Sequence, residues 1–133
     1  MDSLERNLLW LGVEDYTGLW QAVIEAGGSA TNSMSDARKR ARRAIQSLLD
    51  NNFIELFACP EPIDNETVKP IPKERNLLIL EEESSWVVPG EGGVSLRFAT
   101  TDRGFAVYRR ETGWIGEQLW EASIVRMPPP SYG

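Results

Sequence analysis

Apolar residues recur at steps of three and four between residues 37 and 49. Ala37, Ala41, Ala44, Ile45, Leu48 and Leu49 fall on one arc, and Arg38, Lys39, Arg42, Arg43 and Gln46 on the opposite one. That period belongs to an amphipathic helix with one buried face. Ser35 can cap it, Asp36 suits the positive end of its dipole, and Ala and Arg are good helix formers. "DNN" ends the helix, and the aromatic, β-branched "FIELF" that follows reads as a strand. Similar spacing at Tyr16, Leu19, Trp20, Val23 and Ile24 predicts an earlier helix, with Asp15 as N-cap and Gly27–Gly28 as its stop. "LERNLLWLGV" suggests a further short helix whose Leu8, Leu9, Trp10 and Leu11 are core. "GGSATNSMS" is a small, polar loop.

Downstream, residues 60–72 hold four prolines and read as a loop. "PKERNLLILEEESSW" is ambiguous between strand and helix; Pro72 at a first helical position and the flanking charges favour helix. "VPGEGG" is turn chemistry, and "VSLRFA" alternates, with Val94, Leu96 and Phe98 on one strand face. "TTDRGFAVYRR" opens with a capping threonine and predicts a short helix. Trp114, Ile115, Leu119 and Trp120 form an amphipathic stretch before a proline-rich end. The expected fold class is therefore α+β: helices with a small antiparallel β-wing and a helical insertion between the wing strands. Residues 1–126 form one domain and 127–133 a proline-rich C-terminal tail.

Composition narrows the chemistry. A chain of 133 residues fits one domain with its own hydrophobic core. The lone Cys59 rules out an internal disulfide, and the absence of histidine removes most zinc sites and every Cys/His or Ser/His catalytic pair. A site made only of carboxylates is left, but the acidic run "EEES" at 81–84 reads more simply as the solvated end of an element. No enzyme activity, metal or cofactor is expected. "NET" at 65–67 matches a glycosylation acceptor by accident in a chain expected to be cytoplasmic. That expectation rests on a start, "MDSLERNLLW", without a signal-peptide n-region. No apolar run approaches the roughly 20 residues that cross a bilayer.

The element order and certain residues resemble the winged-helix superfamily, in particular MarR-like and PadR-like regulators. There the recognition helix runs into an "LxxxGLV" step and the first wing strand, a place held here by "LLDNNFIEL". The second wing strand ends in an "LTxxGR" step, matched here by Thr101 and Gly104 of "FATTDRGFAVY". The likeness spans roughly residues 15–110. The chain also resembles small bacterial winged-helix proteins with an Arg/Ala-rich second helix and a helix ending in Trp inserted between the wing strands. Some proteins of that type look like immunity partners of toxins.

The resemblance implies two functions, and charge weighs between them. Arg38, Lys39, Arg42 and Arg43 on a recognition helix would contact phosphates and base edges of DNA, as in a transcriptional regulator. Yet the net charge is −6, and setting aside the basic run at 38–43 leaves nine of the 14 basic residues against 20 acidic ones. Such a body repels a duplex. Two departures point the same way: the stretch from Gly27 to Ser35 is short for a helix-turn-helix support, and the wing tip is a Glu-rich insertion. An acidic surface instead suits a partner protein that is basic, such as a toxin. The partner-binding candidates are Glu81, Glu82, Glu83, Trp86 and Glu91, with Trp86 read more readily as closing the core over the wing. Binding of a partner protein by a monomer or homodimer, as an immunity-like inhibitor, leads; DNA binding is the alternative.

Overall fold

The computed structural model describes residues 1–28, 34–64, 66–90 and 92–113. Helix α1 (Ser3–Glu14) starts at a reciprocal capping box, in which Asp2 accepts from the Glu5 amide at 2.8 Å and Glu5 accepts from the Asp2 amide at 3.2 Å. Its Leu8, Leu9 and Gly12 are buried. Strand β1 (Thr17–Gly18) and helix α2 (Leu19–Val23) follow, and α2 runs through a wider turn to Gly28. Helix α3 (Met34–Asp50) buries the six apolar residues that its periodicity predicts. Strand β2 (Ile54–Pro60) leads into the short β3 (Lys69–Pro70), helix α4 (Asn76–Glu81), strand β4 (Val94–Thr100) and helix α5 (Asp102–Thr112).

These elements make a mixed α+β fold: five helices and a four-stranded antiparallel sheet among the described residues. The sheet order is β1-β4-β2-β3. β2 and β4 pair over seven positions, from Ile54 opposite Thr100 to Pro60 opposite Val94. Everything between them, residues 61–93, leaves and returns at one place. The Glu61 amide donates to the Gly93 carbonyl at 2.9 Å, and the Gly92 amide to the Glu61 carbonyl at 3.2 Å. The core lies between the sheet and the helices, with Phe98, Leu56, Leu8, Leu19 and Ile45 fully buried. α1 approaches β4 so closely that a Cβ at Gly12 would stand 2.5 Å from Thr100 Oγ1. That hydroxyl donates to the Leu9 carbonyl at 2.7 Å, tying helix to strand.

Three local expectations change. The helix predicted over residues 15–28 begins only at Leu19; Asp15 is the extended C-cap of α1, and Thr17 and Gly18 pair with Phe98 and Arg97. The partner that turns Thr17–Gly18 into a strand lies some 80 residues away, beyond the reach of local periodicity. "PKERNLLILEEESSW" is not one helix either. A 3₁₀ turn at Lys73–Arg75 leads into α4, Glu82 is extended, and a second 3₁₀ turn spans Glu83–Trp86. The break turns Trp86 inward, where its indole N–H donates to the Leu80 carbonyl at 3.0 Å. On β4, Phe98 is buried and Leu96 packs on the core, but Val94 is 61% exposed at the open end of the hairpin. The predicted "TTDRG" cap forms: Thr101 Oγ1 accepts from the Gly104 amide at 3.0 Å. The boundary at 126/127, the tail 127–133 and Trp114, Ile115, Leu119 and Trp120 lie outside the described residues.

Candidate functional site

α3 exposes its basic arc because its alanines and leucines face the core, and that burial fixes the helix rotation. The insertion then folds back along this arc instead of projecting as a wing tip. Leu80 of α4 and Trp86 of the following turn hold it there, both nearly inaccessible to solvent. The turn carrying Trp86 packs against α2 and β4, so the insertion closes the core that α2, α3 and the sheet leave open.

With those anchors set, the two sets of predicted residues meet. Arg38 forms an ion pair with Glu83 at 3.4 Å, and Arg42 with Glu81 at 3.6 Å. The four side chains, with Lys39, Met34, Leu80 and Trp86, line a cleft of about 450 Å³. Both pairs are open to water; the Glu83 side chain is 87% exposed. Pairs of this kind stabilise a fold by at most about 1 kcal/mol each, because solvent and salt screen them. Their contribution to the stability of the fold is therefore small.

The remaining predicted residues separate. Lys39 and Arg43 are exposed, and neither forms an ion pair among the described residues. Arg43 borders a different cleft, beside Asp2, Ser3 and Glu5 at the start of α1. Glu82 is exposed in the extended link after α4. Trp86 is 5% exposed and belongs to the core, where its packing holds the insertion rather than presenting an aromatic ring to solvent. Glu91 lies outside the described residues.

Other side chains took roles that their sequence context did not signal. Arg40, inside the basic run, donates to the Ala26 carbonyl at 2.7 Å and so ties α3 to the end of α2. Leu77 and Leu78 of α4 are 52% and 64% exposed. Glu74, Glu81 and Glu82 of the same segment are also exposed, and Glu81 is the carboxylate paired with Arg42. A third cleft, of about 420 Å³ and lined by Leu77, runs between α4 and the C-terminal turn of α3, where Lys73 donates to Asn52. The periodicity of "NLLIL" alone is too short to tell an outward from an inward leucine.

Among the described residues, no group of three or more His, Cys, Asp or Glu side chains is placed to hold a metal ion. No helix among them is long and apolar enough to cross a membrane. Cys59 is fully buried in β2, and burial pushes its thiol pKa above the usual range. Comparison with protein-family models, curated proteins and solved structures finds no match to the chain.

Proposed function

We propose that this chain is a non-enzymatic, winged-helix-like binding module that binds a partner protein, in the manner of an immunity-like inhibitor of a basic toxin. The winged-helix reading is supported by the order α1-β1-α2-α3-β2-β4-α5 and by a short β1 that joins the edge of the β2–β4 hairpin. The observation that carries the protein reading is a pair of adjacent leucines on α4, Leu77 and Leu78, both more than half exposed on a segment that also exposes Glu74 and Glu82. Apolar anchors rimmed by charge suit a protein surface, and carboxylates suit a basic one. The alternative, a DNA-binding regulator, needs Arg38 and Arg42 available, and both are engaged by carboxylates of the insertion.

Two measurements separate the readings. The purified 133-residue chain is titrated with a random pool of duplex DNA across salt concentrations, beside an Arg38→Ala/Arg42→Ala/Arg43→Ala variant. The protein reading predicts no micromolar binding by wild type even at low salt. Tight binding that falls steeply with salt and disappears in the variant overturns it. In parallel, proteins captured by wild type are compared with those captured by a Leu77→Asp/Leu78→Asp variant, and the difference is reconstituted from purified components. A stoichiometric complex lost in that variant is the expected result.

A further inference from the structure

We propose, resting on the protein reading above, that the cleft between α4 and the C-terminal turn of α3 is a socket for an arginine side chain of the basic partner. The cleft holds about 420 Å³, within the range of about 300–1,000 Å³ over which clefts take small ligands. Its apolar lining is Leu49 and Leu80, both nearly inaccessible to solvent, and Leu77, which is half exposed. Its polar lining includes Asp50, Lys73 and Asn76.

Two features of this cleft call for a cationic donor. Asp50 is the last residue of α3, is exposed, and forms no ion pair among the described residues. At the negative end of a helix a carboxylate is unfavourable and a cation favourable, and the last turn of α3 holds no basic residue. Asn76 Oδ1 is closed off from solvent with no hydrogen-bond donor, which is destabilising for a buried acceptor. Rotation about the Cβ–Cγ bond of Asn76, a broad torsion, can turn that oxygen to the cleft. Lys73 meets only part of the demand, because its ammonium donates to Asn52. An arginine answers both features at once. Its guanidinium is a planar fork of N–H donors, able to take the Asp50 carboxylate and Asn76 Oδ1 together, and its methylene stem covers the leucines. A lysine brings a point charge without the fork, and an aliphatic side chain leaves both acceptors unpaired. An acidic group would be repelled by Asp50.

The test needs no knowledge of the partner. Capped tripeptides with arginine, lysine, citrulline or norleucine between two alanines are titrated into the 133-residue chain, and the methyl resonances of Leu77 and Leu80 are followed. The arginine peptide is expected to give saturable shifts with a Kd of about 1–10 mM. Citrulline and norleucine should bind about tenfold more weakly or worse, and lysine about threefold more weakly. Asp50→Asn and Asn76→Ala are each expected to weaken the arginine peptide about fivefold, whereas Lys73→Met, which removes the competing cation, should tighten it about threefold. Asp50 and Lys73 are exposed, so these two substitutions leave the core intact. The socket is ruled out if the arginine peptide gives no saturable shift up to about 50 mM, or if citrulline or norleucine binds as tightly. It is ruled out equally if Asp50→Asn or Asn76→Ala leaves the affinity unchanged, or if Lys73→Met weakens it. A partner complex that Leu77→Asp/Leu78→Asp abolishes and Asp50→Asn spares would keep the protein reading and remove the socket. Arginine-peptide binding without any partner complex would do the reverse.

Discussion

Arg97 joins segments that are far apart along the chain. Its guanidinium donates to Ser95 Oγ at 3.0 Å, to the Tyr16 carbonyl at 3.0 Å and to Glu61 at 2.9 Å, and it lies 4.9 Å from the Trp20 ring centroid. Planar guanidinium geometry permits several such contacts at once, which a lysine does not. The pair with Glu61 is the most sheltered ion pair among the described residues. The Arg97 hydrogen bond first, and Ser95 second, hold the Glu61 carboxyl below its usual range. A depressed folded-state pKa stabilises the fold above the unfolded value, about 4.3 for Glu, and that stability is lost as pH falls through the folded value. Glu61→Gln should therefore be less stable than wild type at pH 7, with the gap narrowing at pH below about 4. Urea titrations at pH 7 and pH 3 check this; a gap of constant size would assign the contribution to hydrogen bonding alone. Thr101 and Gly104, the two residues that carry the family likeness, have local causes as well. Thr101 caps α5 and also donates to the Asn52 carbonyl at 2.7 Å, while a Cβ at Gly104 would lie 2.1 Å from the Phe53 oxygen. The threonine cap was legible in sequence because capping restricts residue type at a single position, whereas the close approach at Gly104 depends on Phe53, a distant residue.

At the scale of elements, α3 was the most legible and the insertion the least. Seventeen residues of sustained period make the buried face of α3 unambiguous, and its six predicted core residues are the six buried ones. Residues 72–86 carry an apolar run too short for its period to show, so what sets their shape is the place where Trp86 lands. That indole is buried beside Leu80, and its N–H is satisfied by the Leu80 carbonyl. The insertion is thus part of the core, and Trp86→Ala should destabilise the whole chain by about 3–5 kcal/mol. Urea unfolding followed by far-ultraviolet circular dichroism measures it. If the main transition stayed put while α4 alone was lost, the insertion would be an appendage. The short β1 illustrates the opposite limit. Two residues have no period at all, and only pairing with Phe98 and Arg97 makes Thr17 and Gly18 a strand.

At the scale of the molecule, charge is laid out in opposition rather than in patches. A chain of net charge −6 gathers five basic residues at 38–43 and then covers two of them with its own carboxylates. Because these pairs are exposed, they add little to stability. Arg38→Ala/Arg42→Ala should shift unfolding free energy by less than about 1 kcal/mol in urea, although it removes two charges from α3. A larger loss would show that the pairs hold the insertion down. Sequence by itself determined the basic and apolar arcs of α3, the β2 and β4 strands, the α5 cap and an α+β class, since each depends on residues within a few positions of one another. Tertiary structure alone decided that β1 is a strand, that Leu77 and Leu78 stay exposed, which elements Trp86 packs against, and that Glu81 and Glu83 meet Arg42 and Arg38. Those outcomes turn on contacts between segments some 40 to 80 residues apart, and no local period encodes where such segments meet.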